Sequence, residues 1–316
     1  MQKRQLGKSG IEIAPLMFGG NVLGWTAPEP MSFRLLDRFV AAGLDSIDTA
    51  DVYSRWAPGH KGGESEIVLG RWLKARGNRS KVIIATKVGN DMPDFGKGLK
   101  KAHIMRSCEA SLQRLQTDYI DLYQSHVDDP ATPIEETLGA YQALVEAGKV
   151  RAIGASNFTG ARLGESLGAS AARKLPRYES LQPHYNLYER AAFEADLEPL
   201  CLKEKVGVIP YYGLAGGFLT GKYRSAADFG KSARGGGMKK FLNDRGLRIL
   251  KALDDVSARL EATPAQVALA WLMARPAVTA PIASATNPEQ LEDLIAATRL
   301  KLDAAAVAAL DKASAG

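Results

Sequence analysis

An α/β fold, the (β/α)8 TIM barrel with an N-terminal β-hairpin and two extra helices, is predicted for this chain from three observations. Short apolar runs of strand length alternate with amphipathic stretches of helix length along the 316 residues. The alternation repeats evenly with short turns, which favours a closed parallel barrel over an open doubly wound sheet. Polar residues suited to acid–base work recur where the apolar runs end, the face on which such barrels carry their sites. No linker, low-complexity tract or internal repeat interrupts the pattern. Residues 1–316 are therefore expected to form one domain, although a prior of roughly 150 residues per domain suggests two.

The elements follow in order. Residues 3–5 and 11–13 flank Gly7-Lys8-Ser9-Gly10 and read as the hairpin. Leu16-Met17-Phe18 is the first barrel strand and ends at Gly19-Gly20. Ser32 reads as the cap of a helix that turns Phe33, Leu36, Phe39 and Val40 inward. Ser46–Asp48 is the second strand, Glu64–Lys74 a helix with Ile67 and Leu73 inward, and Val82–Ala85 the third strand. Met105, Cys108, Leu112 and Leu115 form the next helical stripe, before strand Tyr119–Tyr123. Pro133 opens a helix faced by Ile134, Leu138, Tyr141 and Val145. Strand Val150–Ile153, a helix within Ala161–Ser170, strand Ser180–Gln182, helix Leu197–Leu202 and strand Val206–Ile209 continue the alternation. From Tyr211 to Asn243 the chain is rich in glycine and shows no clear element, which marks a functional loop. Helices at Leu247–Leu260 and Pro264–Ala274 (capped by Thr263), strand Ala280–Ile282, and helices Pro288–Ala297 and Ala304–Lys312 complete the chain.

Bulk composition narrows the function classes. Lys plus Arg number 41 and Asp plus Glu 35, a net charge of +6 with the signs interspersed. The densest basic cluster, Lys97, Lys100, Lys101 and His103, lacks interleaved aromatics and reads as a solvated helix start, not a nucleic-acid patch. Cys108 and Cys201 have neither CxxC nor metal-ligand spacing and read as free core thiols of a reducing compartment. The N-terminus has no signal-peptide core, and no run of ~20 apolar residues offers a membrane span. The expectation is a soluble cytoplasmic protein, a monomer or small homo-oligomer, with no metal, nucleic-acid or membrane partner.

The chemistry gathers at the strand ends. Asp48 and Tyr53 follow the second strand, Lys87 the third and His126 the fourth. Ser156 and Asn157 follow the fifth, Gln182 the sixth, Tyr211 the seventh and Ser284 the eighth, with Gly20 and Asn21 after the first. Singly, each reads as structural. Together they differ, because a Lys in a barrel mouth needs a carboxylate partner and Asp48 is on the neighbouring strand. A free tyrosine has a pKa near ~10 and can donate a proton at neutral pH. An adjacent Lys87 ammonium is expected to lower that value, with Asp48 holding the lysine charged. A neutral His126 could hydrogen-bond a substrate oxygen. Such a group protonates an oxygen that gains negative charge, as a carbonyl does when hydride arrives.

The chain resembles the aldo-keto reductase superfamily through Asp48-Thr49-Ala50-x-x-Tyr53, Ala85-Thr86-Lys87, Gln124-Ser125-His126, Gly154-Ala155-Ser156-Asn157, Gln182 with Tyr185-Asn186, and Pro210-Tyr211…Leu214-Ala215-Gly216-Gly217…Leu219-Thr220-Gly221-Lys222. The resemblance implies a nicotinamide cofactor across the barrel mouth and reversible reduction of aldehydes, ketones or sugar-type carbonyls. Tyr53 would be the proton donor, Asp48 and Lys87 its modulators, and His126 the orienting residue. Ser156, Asn157 and Gln182 would hold the carboxamide and Tyr211 would stack on the ring. Gly20, Asn21, Gly213, Leu214, Gly216, Gly217, Lys222, Ser284, Thr286, Gln290 and Asp293 would line the rest of the cofactor path.

The segment 283–290 carries no Arg or Lys for the 2′-phosphate of NADP(H), so Arg234 or Lys222 would have to compensate. NADP(H) is favoured, with NAD(H) as the alternative. Trp25 and Trp56 would wall the substrate pocket. Tyr212 stands where the family usually has a small serine. Gly216 to Lys222 spells GxxxxGK, but Tyr223 follows where a phosphate-binding loop needs Ser or Thr, and no GxGxxG follows the first strand. Two rivals remain: a cofactor-binding redox-sensing subunit with little turnover, and a lyase-like barrel using Lys87 as a Schiff-base nucleophile.

Overall fold

The structure, a computed structural model, describes residues 2–93, 95–232 and 234–315. A two-stranded hairpin, β1 (Arg4–Gln5) and β2 (Glu12–Ile13), precedes eight parallel strands. These are β3 (Met17–Gly19), β4 (Ser46–Asp48), β5 (Ile83–Val88), β6 (Ile120–Ser125), β7 (Val150–Ser156), β8 (Tyr178–Gln182), β9 (Gly207–Val208) and β10 (Ile282–Ala283). They pair in chain order from β3 to β9, and β10 pairs back onto β3. The seam between β9 and β10 closes where Val208 bridges Val278 in parallel and the Ile282 N–H donates to Pro210 O at 2.9 Å. The ring is the predicted barrel.

Helices α1 (Glu29–Ala41), α2 (Glu64–Arg76), α3 (Lys101–Leu115), α4 (Ile134–Glu146), α5 (Gly160–Arg173) and α6 (Glu198–Glu204) follow the strands in alternation. After β9 come α7 (Asp244–Leu260) and α8 (Pro264–Met273), and after β10 α9 (Pro288–Ala297) and α10 (Ala304–Ser314). Apolar side chains form two bodies. The larger lies between helices and sheet, around Trp72, Trp271 and Phe39. The smaller fills the barrel with Met17, Ala85, Leu122, Ala152, Ile209 and Ile282, and the hairpin adds Leu6, Ile11 and Ile13 to it. Burying these residues removes apolar surface from water, the main favourable term in folding. Among the described residues, no helix is long and apolar enough to cross a membrane.

Several local readings change. Ser32 does not cap α1: the helix begins earlier, at Glu29, because Pro30 pre-sets its first turn. Ser32 lies buried inside it, its hydroxyl donating to Ala27 O at 2.8 Å. In α2 the buried face is Val68, Leu69, Trp72 and Leu73, with Ile67 only half-buried. Strands β5 and β6 run beyond the predicted ends, so Lys87 lies within a strand instead of after one. The stretch 211–243 is not featureless. It holds three 3-10 turns, Ala215–Thr220, Ala226–Lys231 and Gly235–Phe241.

Candidate active site

The β-strand period of two sets the floor of the site. In β5, Ala85 faces the apolar interior, so Lys87, two residues on, faces the same way. In β6, Leu122 and Gln124 repeat the step, and Lys87 pairs in register with Gln124. The interior therefore turns from apolar to polar one layer below the C-terminal rim. There Lys87, fully buried, donates to Asp48 Oδ2 at 2.7 Å, to Thr49 O at 2.7 Å and to the Tyr53 hydroxyl at 2.8 Å. Tyr53 donates to Asp48 Oδ2 at 3.2 Å. The other carboxylate oxygen, Oδ1, accepts from Gln182 Nε2 at 2.9 Å and Gln124 Nε2 at 3.4 Å. The buried Asp48 charge is thus both paired and hydrogen-bonded, as a charge out of water must be.

Above this floor opens a cleft of about 660 Å3 lined by Asp48, Tyr53 and His126. The Tyr53 and His126 rings meet edge to face at 6.0 Å. Trp56 stands edge-on to Tyr53 at 6.0 Å and to Trp25 at 5.6 Å, so both tryptophans wall the cleft beside the tyrosine.

The electrostatics differ from expectation at one group. The Lys87 ammonium was expected to lower the Tyr53 pKa. Burial, and then the Asp48 charge at its hydroxyl, instead push it well above the ordinary tyrosine value. Tyr53 thus holds its proton across the neutral range. Burial and the Lys87 charge push His126 well below its ordinary value, which leaves the imidazole neutral. Its Nδ1 is enclosed without a partner among the described residues, so Nε2 is the ring nitrogen left for a ligand. Burial lowers the Lys87 pKa, and Asp48 opposes that fall.

Ser156, Asn157, Gln182 and Tyr211 also line the cleft, tied to one another. Ser156 donates to Gln182 O at 2.8 Å, Asn157 Nδ2 to His126 O at 2.9 Å, and the Tyr211 hydroxyl to Asn157 Oδ1 at 2.8 Å. His184 stacks on Tyr211 at 5.3 Å and fixes the plane of its ring. Further along, Gly213, Leu214, Gly216 and Gly217 form a wall next to Lys222. Gly216 and Gly217 have φ of 67° and 107°, a conformation that glycine adopts without strain. Ser284, Thr286, Gln290 and Asp293 line the remaining side. The Thr286 hydroxyl donates to Gln290 Oε1 at 3.1 Å, and Asp293 accepts from Thr263 at 2.9 Å and Gln266 at 2.6 Å.

Arg234 comes from the long loop after β9 and lies over the Trp25 ring at 5.6 Å. With the Asn21 amide turned to satisfy its neighbours, its nitrogen donates to Ser284 Oγ at 2.6 Å and its oxygen accepts from Arg234 at 2.7 Å. Nearby Lys231 pairs with Asp228 and Arg224 with Asp254. Lys222 and Arg234 remain as cleft cations with no carboxylate partner among the described residues.

One expected residue falls elsewhere. Gly20 does not face the cleft: it packs behind Asp48, where a Cβ would meet Asp48 O at 2.8 Å, and its carbonyl accepts from Ser65. Gly19 lines the cleft in its place. Gln124 was missed as a site residue, although the two-residue spacing to His126 marks it as facing the same way.

A family model described as the aldo/keto reductase family matches residues 15–315. The Bacillus subtilis (strain 168) protein named uncharacterized oxidoreductase YrpG is 35% identical over 310 residues, covering 96% of this chain and 93% of its own. The aldo-keto reductase YhdN of the same organism is 32% identical over 304 residues, 93% of this chain and 88% of that protein. An Arabidopsis thaliana protein named probable voltage-gated potassium channel subunit beta is 32% identical over 302 residues, 93% and 90% of the two chains.

Proposed function

Because this chain belongs to the aldo/keto reductase family, we propose that it reduces aldehydes or ketones to alcohols with NADP(H), Tyr53 serving as the proton donor. The observation that carries this reading is the Tyr53 hydroxyl, held by Lys87 Nζ at 2.8 Å at the floor of the cleft.

The residues fit a nicotinamide cofactor. Amide and hydroxyl groups of Ser156, Asn157 and Gln182 suit a carboxamide, and the Tyr211 ring offers a flat face. The glycine wall admits close approach, and Lys222 and Arg234 suit phosphates. When bound, the reduced nicotinamide supplies the hydride. The chain's own groups do the rest. His126, kept neutral, donates from Nε2 to the carbonyl oxygen and fixes its direction. Tyr53 turns its hydroxyl hydrogen from Asp48 to that oxygen and transfers it. Its raised pKa does not obstruct the step, because an alkoxide is a far stronger base than a phenolate. Lys87 then faces the phenolate with its ammonium, and Asp48 keeps the lysine in place.

The preference for NADP(H) over NAD(H) rests on Lys222 and Arg234, the two cleft cations without carboxylate partners among the described residues. Arg234→Ala is expected to weaken NADPH binding about ten- to hundred-fold, the worth of a charge-assisted contact, and NADH binding less than threefold. Fluorescence titration of the purified protein with both cofactors checks this. A wild-type protein that prefers NADH would reverse the assignment.

The reading itself is tested by following NADPH oxidation across an aldehyde panel that includes 4-nitrobenzaldehyde. Turnover abolished by Tyr53→Phe supports it, and absence of any cofactor binding overturns it. The Arabidopsis relative is named as a channel subunit and not as an enzyme, which supports carrying a second reading, a cofactor-binding redox-sensing subunit with little turnover. Binding without turnover across the whole panel is the result that would select it.

A further inference from the structure

Lys87 is held by more than Asp48. Its ammonium also donates to Thr49 O at 2.7 Å, and Thr86, its neighbour in β5, points to the opposite side of the sheet. One dipeptide in the first turn of α2 grips both threonines. The Ser65 hydroxyl lies 2.7 Å from Thr49 Oγ1 and donates to Gly20 O at 2.7 Å. Glu66 Oε1 accepts from Thr86 Oγ1 at 2.5 Å, and its Oε2 accepts from Arg114 Nε of α3 at 2.6 Å. Ser65 and Glu66 are fully buried. The contact that delivers Arg114 depends on Gly70 of α2, where a Cβ would lie 2.1 Å from Arg114 O.

A packing role alone explains this poorly. Taking a carboxylate and a guanidinium out of water is costly, and apolar side chains of similar volume often fill such a seam as well or better. The ion pair sets its carboxylate, and not its guanidinium, against the back of the strand that carries Lys87.

We infer that Ser65 and Glu66 are positioning residues for the Lys87 ammonium: Ser65 fixes the residue whose carbonyl accepts one of its hydrogen bonds, and Glu66 fixes Thr86 and sets a carboxylate behind the strand. This rests on the role proposed above for Lys87. The titratable groups facing Lys87 are Asp48, Tyr53 and His126 at the barrel mouth, Asp51 from the loop after β4, and Glu66 from α2, paired with Arg114. Burial pushes the Lys87 pKa down, and Asp48, Asp51 and Glu66 oppose it. Asp51 is itself buried with Oδ1 unpartnered among the described residues, and burial followed by the nearby Glu66 pushes it up to about 8. Near neutrality Asp51 is therefore mostly protonated, whereas Glu66 is tied to the Lys87 strand through Thr86 and to Arg114.

The experiment is a pH titration of the Lys87 ammonium by NMR in protein labelled with 13Cε,15Nζ-lysine, its signal assigned by its loss in Lys87→Met. In Glu66→Gln the Lys87 midpoint is expected to fall by about one pH unit, since removing a nearby opposite charge disfavours the charged form. Ser65→Ala, which removes a hydroxyl and no charge, is expected to lower the midpoint by less, and it carries the test if Glu66→Gln does not fold. The measurement needs neither cofactor nor substrate, so its result is independent of whether the protein turns over carbonyls. Where turnover is present, the alkaline limb of the kcat profile moves with the Lys87 midpoint. A midpoint unchanged from wild type in the variants that fold overturns the inference.

Discussion

Tyr53→Phe is expected to lower kcat for the proposed carbonyl reduction about a thousandfold and to leave NADPH affinity within about twofold of wild type. The size follows from loss of a positioned general acid, which contributes ~10²–10⁴. The selectivity follows from geometry. The lost hydroxyl contacts Lys87 and Asp48, whereas the Tyr53 ring keeps its edge contacts with His126 and Trp56. Asp48 retains Lys87, Gln182 and Gln124 as partners, so the fold loses little. Single-turnover reduction at saturating NADPH, together with a fluorescence titration, separates the two quantities. A variant with more than a tenth of wild-type kcat would remove Tyr53 from the role of proton donor.

Lys87→Met has the larger effect on stability. It leaves the Asp48 carboxylate, 1% exposed, without its countercharge. Breaking a buried pair from one side costs about 3–5 kcal/mol. The hydrogen bonds from Gln182, Gln124 and Tyr53 keep the cost near the lower end, read as a drop of several degrees in Tm. Activity is expected to fall by a further mechanism, because in the proposed role the phenolate left on Tyr53 after proton transfer loses the facing ammonium. Lys87→Met combined with Asp48→Asn distinguishes the two losses. The double variant removes both charges and is expected to recover stability to within about 1 kcal/mol of wild type while kcat stays at the level of the single variant. A single variant as stable as wild type would mean that Asp48 takes up a proton when its partner is lost. A double variant that regains activity would take Lys87 out of the chemistry.

How far the chain could be read in advance differs from residue to residue. Asp48, Tyr53, Lys87 and His126 were legible because each ends or follows an apolar run, and such barrels bring strand ends to one face. Lys87 and Gln124 show that the strand period reaches further. Both lie inside strands, facing inward, two residues beyond an apolar interior position. Glu66 was not legible. A charged residue on a helix reads as solvated, and only the close contact of α2 with α3 at Gly70 encloses it. Gly20 and Gly19 exchange places for a similar reason: adjacent residues point to opposite sides, and the sequence does not say which one faces the cleft. Ser32 misled because the prolines that begin α1 outrank a capping side chain.

What the sequence by itself determined is the alternation of elements and the chemical kinds at the strand ends. Both are local, set by the spacing of apolar residues and by residue type. The tertiary structure decided which groups touch. Gln182 reaches Asp48 across 134 residues, and Ser284 reaches Asn21 across 263. It also decided the sign of the Tyr53 shift. A neighbouring ammonium favours the phenolate, but desolvation and the Asp48 charge favour the phenol more. Desolvation depends on how much of the chain surrounds a group in space, which no stretch of sequence contains.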